Sequence, residues 1–199
     1  MPTTPPASPR AQRTRTELSR AVHGQLASTG VLDVAAATDA AGVSQATFYS
    51  HFGTHDDALA AALDIGLTNV ISTTENLIQV EILLDRGLAD VVSQLVDDLV
   101  AAFRVESLVL RSALARLPQS RELRDVYRSH QATSREHLER HLGLAQKAGL
   151  VRRTDPAQLA TTLVVLTQGL NNPLLLDEAP SAAVLTDLKR AILATLATT

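Results

Sequence analysis

Ala40-Ala41-Gly42-Val43-Ser44-Gln45-Ala46-Thr47-Phe48-Tyr49-Ser50-His51-Phe52 is the stretch that decides how this chain of 199 residues is read. Just before it, Asp33 precedes a run of good helix formers, Val34 to Ala41, and can cap them by accepting a backbone N–H of the first turn. Gly42 ends that helix, because a residue just past a helix terminus often takes a positive φ that glycine alone adopts without steric cost. Val43 is expected to bury its side chain in the sharp turn, and Ser44 restarts the chain as an N-cap. In the helix that follows, Phe48 and Phe52 lie one turn apart and share the face that anchors it. Two short helices joined by a tight glycine turn make a helix-turn-helix.

The surface that the two phenylalanines leave free carries Gln45, Ala46 and Tyr49. These side chains suit a major groove. Glutamine can pair with adenine N6 and N7, alanine can contact a thymine methyl, and hydroxyls and imidazoles can bond phosphate oxygens. Base readout is therefore assigned to Gln45, Ala46 and Tyr49, and phosphate contact to Thr47, Ser50, His51 and His55, joined by Arg13 and Arg15 from the preceding segment.

At this point the chain resembles the TetR (tetracycline-repressor) family of bacterial regulators, whose reading unit follows A-G-V-S-x-x-T-[LF]-Y-x-H-F; Ala41 to Phe52 meets every fixed position. The resemblance runs forward through Thr54-His55-Asp56-Asp57, similar to the capped start of the family's long connecting helix, and backward through an Arg-bearing helix from about Arg13 to Thr29. Four positions depart from the pattern: Asp33 stands for Thr or Ser, Ala37 for Ile or Leu, His55 for Lys, and Ala58 for Leu. The alanines imply a thinner core under the reading helix. Asp33 opposes phosphate if it faces the duplex, and a histidine in place of lysine removes a permanent counter-charge. Binding is expected to be weaker and more pH-sensitive than the family norm, since imidazoles carry charge only on the acid side of neutrality.

Composition sets outer bounds. With 45% hydrophobic residues the chain can bury a sizeable core, and with no cysteine it has neither disulfides nor thiolate metal sites. No apolar run approaches the ~18 residues of a membrane span. Met1 to Arg10, with four prolines and no apolar h-region, reads as the start of a disordered tail over residues 1–12 rather than a signal peptide, which leaves the cytoplasm as the expected location. The net charge of −3 is uneven: residues 1–32 hold Arg10, Arg13, Arg15 and Arg20 against Glu17, a local +3, so that −6 falls on the rest. A positive arm beside a reading head releases counterions from DNA while an acidic body stays clear of it.

Downstream, leucine, alanine, valine and charged residues recur at three-to-four spacing, and nothing reads as a strand, so the chain is expected to be all-α. The head spans 13–54 and a helical effector-binding and dimerisation body spans 55–199. Helices are expected from His55 toward the Thr73–Gln79 region with an interruption near Gly66, from Gly87 to Val105, from Glu106 to Leu117, and from Ser120 to Ala148. Two more run from Pro156 to about Leu170 and from Ser181 to about Ala197, separated by Asn171-Asn172-Pro173. Apolar stripes mark both, with Leu159, Leu163, Leu166 and Leu170 on one and Leu185, Leu188 and Ile192 on the other. Periodicity alone leaves two readings, an internal core or a contact with a second copy. The resemblance implies the second, a four-helix interface in a homodimer, and two heads on a two-fold axis match a palindromic operator.

His130, His137 and His141 fall on one face of the long helix. Histidines four apart can share a metal ion, but no completing carboxylate can be named, so polar lining of an effector pocket is preferred and no metal or cofactor is assigned. Phe103, Tyr127, His130 and His137 are the pocket candidates, and the scarcity of aromatics suits a flexible apolar effector. No nucleophile elbow, glycine-rich phosphate loop or zinc-protease pair occurs, so an enzyme is not expected. By resemblance, the chain is a DNA-binding transcriptional repressor released by a small molecule that prefers the non-binding conformer. The alternative is a ligand- or partner-binding helical protein whose head has lost DNA affinity.

Overall fold

Short-range caps set where the first helices begin and end. In a computed structural model that describes residues 8–74, 77–176 and 182–198, α1 (Pro9–Thr29) opens with Ser8 accepting from the Ala11 amide and Pro9 in the first turn. The helix thus starts four residues before the expected Arg13, because Ser8-Pro9 is itself a start signal; residues 1–7 of the expected tail lie outside the described residues. Asp33 caps α2 (Val34–Ala41), accepting from the Ala35 and Ala36 amides at 2.9 and 3.2 Å. Gly42 follows at a φ of 65°, and Ser44 caps α3 (Gln45–His51) through the Thr47 amide at 3.1 Å. α4 (His55–Thr74) starts from a reciprocal box: the Thr54 amide donates to Asp57 Oδ2 at 2.9 Å and the Asp57 amide to Thr54 Oγ1 at 3.1 Å.

The chain packs as two compact units, one of residues 1–66 with 108–127 and the other of residues 67–107 with 128–199. This division differs from the expected boundary after residue 54, because the first half of α4 supplies core to the head. In the first unit, Leu18, Val22 and Leu26 of α1, Ala37 of α2, Phe48 and Phe52, and Ala58, Ala62 and Leu63 of α4 are buried together with Val109, Leu110 and Ala113 of α7 (Ser107–Arg116). The Ser112 hydroxyl donates to the Gly30 carbonyl, and Arg116 Nε donates to Asp56 Oδ1 at 2.6 Å, joining α7 to the end of α1 and to α4. Leu123, at the start of α8 (Arg121–Lys147), completes this core.

In the second unit α6 (Leu88–Val105) is the central element. Val91, Val92, Leu95, Val96, Leu99, Val100 and Phe103 recur at helical spacing and are buried. Against α6 lie α5 (Val80–Arg86), a 3₁₀ turn at Gly169–Asn171, α10 (Pro173–Leu176) and α11 (Ala182–Leu196). α9 (Pro156–Gln168), capped by Asp155 through the Ala157 amide at 3.1 Å, packs on α11 and on the 3₁₀ turn. Lys189 of α11 pairs with Asp97 of α6 at 2.7 Å.

Among the described residues the fold is all-α, without a strand. Three local expectations are corrected. α4 continues through Gly66 to Thr74 without interruption, since a single glycine lowers helix propensity by only about 1 kcal/mol and buried neighbours Leu63 and Val70 hold it. α5 and α10 escaped the reading because they are only seven and four residues long. Pro173, read as part of a break, instead opens α10, with Asn172 Oδ1 accepting from the Leu174 amide at 2.9 Å.

The stripes of α9 and α11 require a further correction. Leu159, Leu163, Leu170 and Ile192, read as interface residues, are buried inside the single chain, whereas Leu166, Leu185 and Leu188 are half-buried. With those four side chains buried within one chain, they are core, in a unit where α9 and α11 pack on each other and on the 3₁₀ turn and α6 respectively. The most exposed large apolar side chains on these helices are Val165 and Val184.

Candidate nucleic-acid interface

α3 is pinned from beneath and open above. Phe48 and Phe52 are fully buried with ring centroids 5.2 Å apart, fixing both the rotation of α3 and the exit of the chain at its end. Since the helix turns about 100° per residue, burying Phe48 and Phe52 turns Ala46 and Ser50 outward; Gln45, at the open first turn of α3, and Tyr49, on its flank, are exposed as well. Thr47 and His51 are half-buried flanks. The turn before α3 is held by the Val43 amide donating to the Thr38 carbonyl at 3.0 Å, while the Val43 side chain is half-buried instead of fully enclosed. Helix 2 is too short and too alanine-rich to wrap it.

The outward side chains are partly organised already. Tyr49 Oη and His55 Nε2 lie 3.4 Å apart with their rings stacked, so a base-reading candidate and a phosphate-contact candidate form one exposed aromatic pair. Tyr49 also meets Phe48 edge-on at 5.3 Å between centroids, which ties this pair to the core. Ser44 and Thr47 hydroxyls share a hydrogen bond of 3.0 Å, and the Ser50 hydroxyl donates to the Thr47 carbonyl at 2.7 Å. Gln45 and Ala46 stand in solvent at the N-terminal end of α3, where the helix also presents its first amides, a position that favours a phosphate nearby.

Cations are divided between solvent and structure. Arg10 and Arg13 are exposed on α1. Arg15, assigned to phosphate from sequence, instead reaches the end of α3: Nη1 donates to the His51 carbonyl and the guanidinium lies over the Phe52 ring at 4.7 Å from its centroid. It satisfies an orphan carbonyl of a helix C-terminus and supplies the positive charge that such an end favours. Nothing in the sequence signals this contact, which joins residues 36 positions apart. Asp33, suspected of opposing phosphate, has its carboxylate folded onto the first amides of α2, where the helix dipole offsets part of its charge.

The Asp56–Arg116 pair was also invisible to sequence. The hydrogen bond from Arg116 holds the Asp56 carboxyl below the usual carboxylate range, against the opposing effect of burial.

The pocket candidates fall in two units. Tyr127 belongs to the first unit and is half-buried. In the second, Phe103 is buried in the α6 core and His130 and His137 are half-buried on α8, with the His137 and His141 rings 4.3 Å apart. Among the described residues no group of three or more metal-ligating side chains converges. Sequence reading missed Glu106, a buried carboxylate of the second unit that accepts from Asn69 Nδ2 at 2.8 Å. Among the described residues no helix is long and apolar enough to cross a membrane.

No family model matches the chain, and no curated protein sequence matches it. Solved structures do. A Rhodococcus protein assigned to the TetR-family transcriptional regulators superposes with a TM-score of 0.71 at 22% identity, covering 94% of this chain and all of that one (100%). A TetR transcription regulator from Haloarcula marismortui gives 0.69 at 19% identity, with 92% and 96% covered. A Saccharomonospora viridis protein assigned as a transcriptional regulator, in complex with choline, gives 0.63 at 20% identity, with 91% and 94% covered. At these identities the likeness is one of fold: the chain has the all-α fold of TetR-family regulators, as the Ala41 to Phe52 pattern implied.

Proposed function

We propose that this chain is a sequence-specific DNA-binding transcriptional regulator, a cytoplasmic repressor that holds a palindromic operator as a homodimer and leaves it when a small molecule binds. The observation that carries the reading is α3 itself. A seven-residue helix follows a tight glycine turn, is locked by two buried phenylalanines, and offers Gln45, Ala46 and Tyr49 to solvent. Such a helix has the dimensions and the donor, acceptor and methyl groups to read a major groove. Thr47, Ser50, His51 and His55 flank it as phosphate contacts, with Arg13 as the arm's cation. Arg15 serves by holding α3 in place.

Dimerisation is assigned to α9 and α11, with the contact moved from the buried leucines to Val165, Leu166, Val184, Leu185 and Leu188, which retain exposed apolar surface. The choline complex of the Saccharomonospora protein supports a small-molecule effector. For this chain an apolar effector in the second unit is proposed, near Phe103, His130 and His137.

Selection from randomised duplexes at near-physiological salt tests the function. Enrichment of a palindrome over a scrambled control is the expected result. Sequence-blind, salt-sensitive binding, or none, favours the second reading: a ligand- or partner-binding helical protein with weakened DNA affinity. That reading draws its support from the engagement of Arg15 with His51 and Phe52, which leaves the head fewer cations for phosphate.

A further inference from the structure

We propose that the head carries a ligand site of its own, a cleft of about 620 Å³ along α1, α4 and the start of α8, which takes a small organic cation with a short aliphatic body. Its volume lies within the few hundred to about a thousand Å³ of small-molecule sites. Three carboxylates, Asp57, Asp64 and Glu122, line it against two guanidiniums, Arg15 and Arg20, while Ile65 and Val126 supply apolar wall. The lining thus carries an excess of one negative charge, and Arg15 has already committed its guanidinium to the His51 carbonyl and the Phe52 ring. A carboxylate offers about four lone-pair positions. The bonds from Thr54 to Asp57 and from the Ser120 hydroxyl to Glu122 at 3.1 Å therefore leave acceptor capacity for an ammonium group.

Arg15 gives the site a consequence. It lines the cleft and also clamps the last carbonyl of α3, so a cation entering beside it repels the guanidinium and bears on the end of the exposed helix. That this alters DNA binding rests on the function proposed above; the occupancy and the effect on α3 do not.

Calorimetric titration of the full chain with 1,4-diaminobutane is the test. Saturable one-to-one binding is expected, weakened about tenfold or more in the double variant Asp64→Asn, Glu122→Gln, which loses charge-assisted hydrogen bonds but keeps side-chain shape. A thermal melt verifies that the double variant folds, and Asp64→Asn alone serves if it does not. No binding of the diamine, equal binding by the folded variant, or inorganic phosphate bound in its place overturns the site. Amide exchange at Phe52, whose N–H bonds the Phe48 carbonyl at 2.8 Å, reads the coupling. A several-fold change on diamine binding is expected, and an unchanged rate with binding intact overturns the link to α3. Neither readout uses DNA, so failure here is distinguishable from failure to select an operator.

Discussion

α3 and the pair α9 and α11 are both legible as amphipathic helices, yet only in α3 do neighbouring residues also set which side chains anchor the helix and which stay exposed. In α3 the deciding residues are neighbours: Gly42 at positive φ, Ser44 capping the helix, and Phe48 and Phe52 one turn apart. In α9 and α11 the stripe specified that a face is buried, while the identity of its partner depended on α6 and the 3₁₀ turn, both distant in sequence. Local stereochemistry is written in short words; packing partners are not.

The largest expected effect breaks the head. Phe48→Ala removes a fully buried ring and should destabilise the protein by about 3 to 5 kcal/mol, measured by denaturant titration. A loss near zero would mean that α3 is not anchored as described. Next, Leu170→Ala in the 3₁₀ turn should cost about 2 to 5 kcal/mol, as expected of a residue that is fully enclosed in one chain. Val165→Ser, at a position 63% exposed, should change protomer stability by no more than about 0.5 kcal/mol yet weaken self-association in sedimentation experiments. Stability lost at Val165 and retained at Leu170 would invert the assignment of core and surface.

The smallest effect is electrostatic. Because Arg116 holds the Asp56 carboxyl below its ordinary range, the pair stabilises the folded chain at pH values above that range, and this contribution is lost as pH falls through the depressed value. Asp56→Asn should therefore melt at a lower temperature than the parent near neutrality, and the difference should shrink in acid. Both side chains retain solvent contact, so the change should be small. A gap that widens in acid would contradict the assignment.

Caps and turns account for most of what was readable. Asp33, Ser44, Thr54 with Asp57, and Asp155 all cap the helices they precede. The contact of Arg15 with α3 is not legible in the sequence, because an arginine in a basic arm looks the same whether it meets phosphate or a carbonyl 36 residues away. His55 was read as a phosphate contact without its neighbour, and its stacking on Tyr49 depends on how the chain turns between α3 and α4. Glu106 gave no signal at all, because a lone acidic residue between two helices is most often at the surface.

The central claim is that the exposed residues of α3 read bases. It is tested most directly by comparing the base preferences of the parent and Gln45→Ala on the duplex that selection enriches, base pair by base pair. Relaxed preference at one position in each half-site, at a cost of about 1 to 3 kcal/mol with the rest of the profile intact, is the predicted result. An unchanged profile, or a loss spread evenly over all sequences, would contradict it.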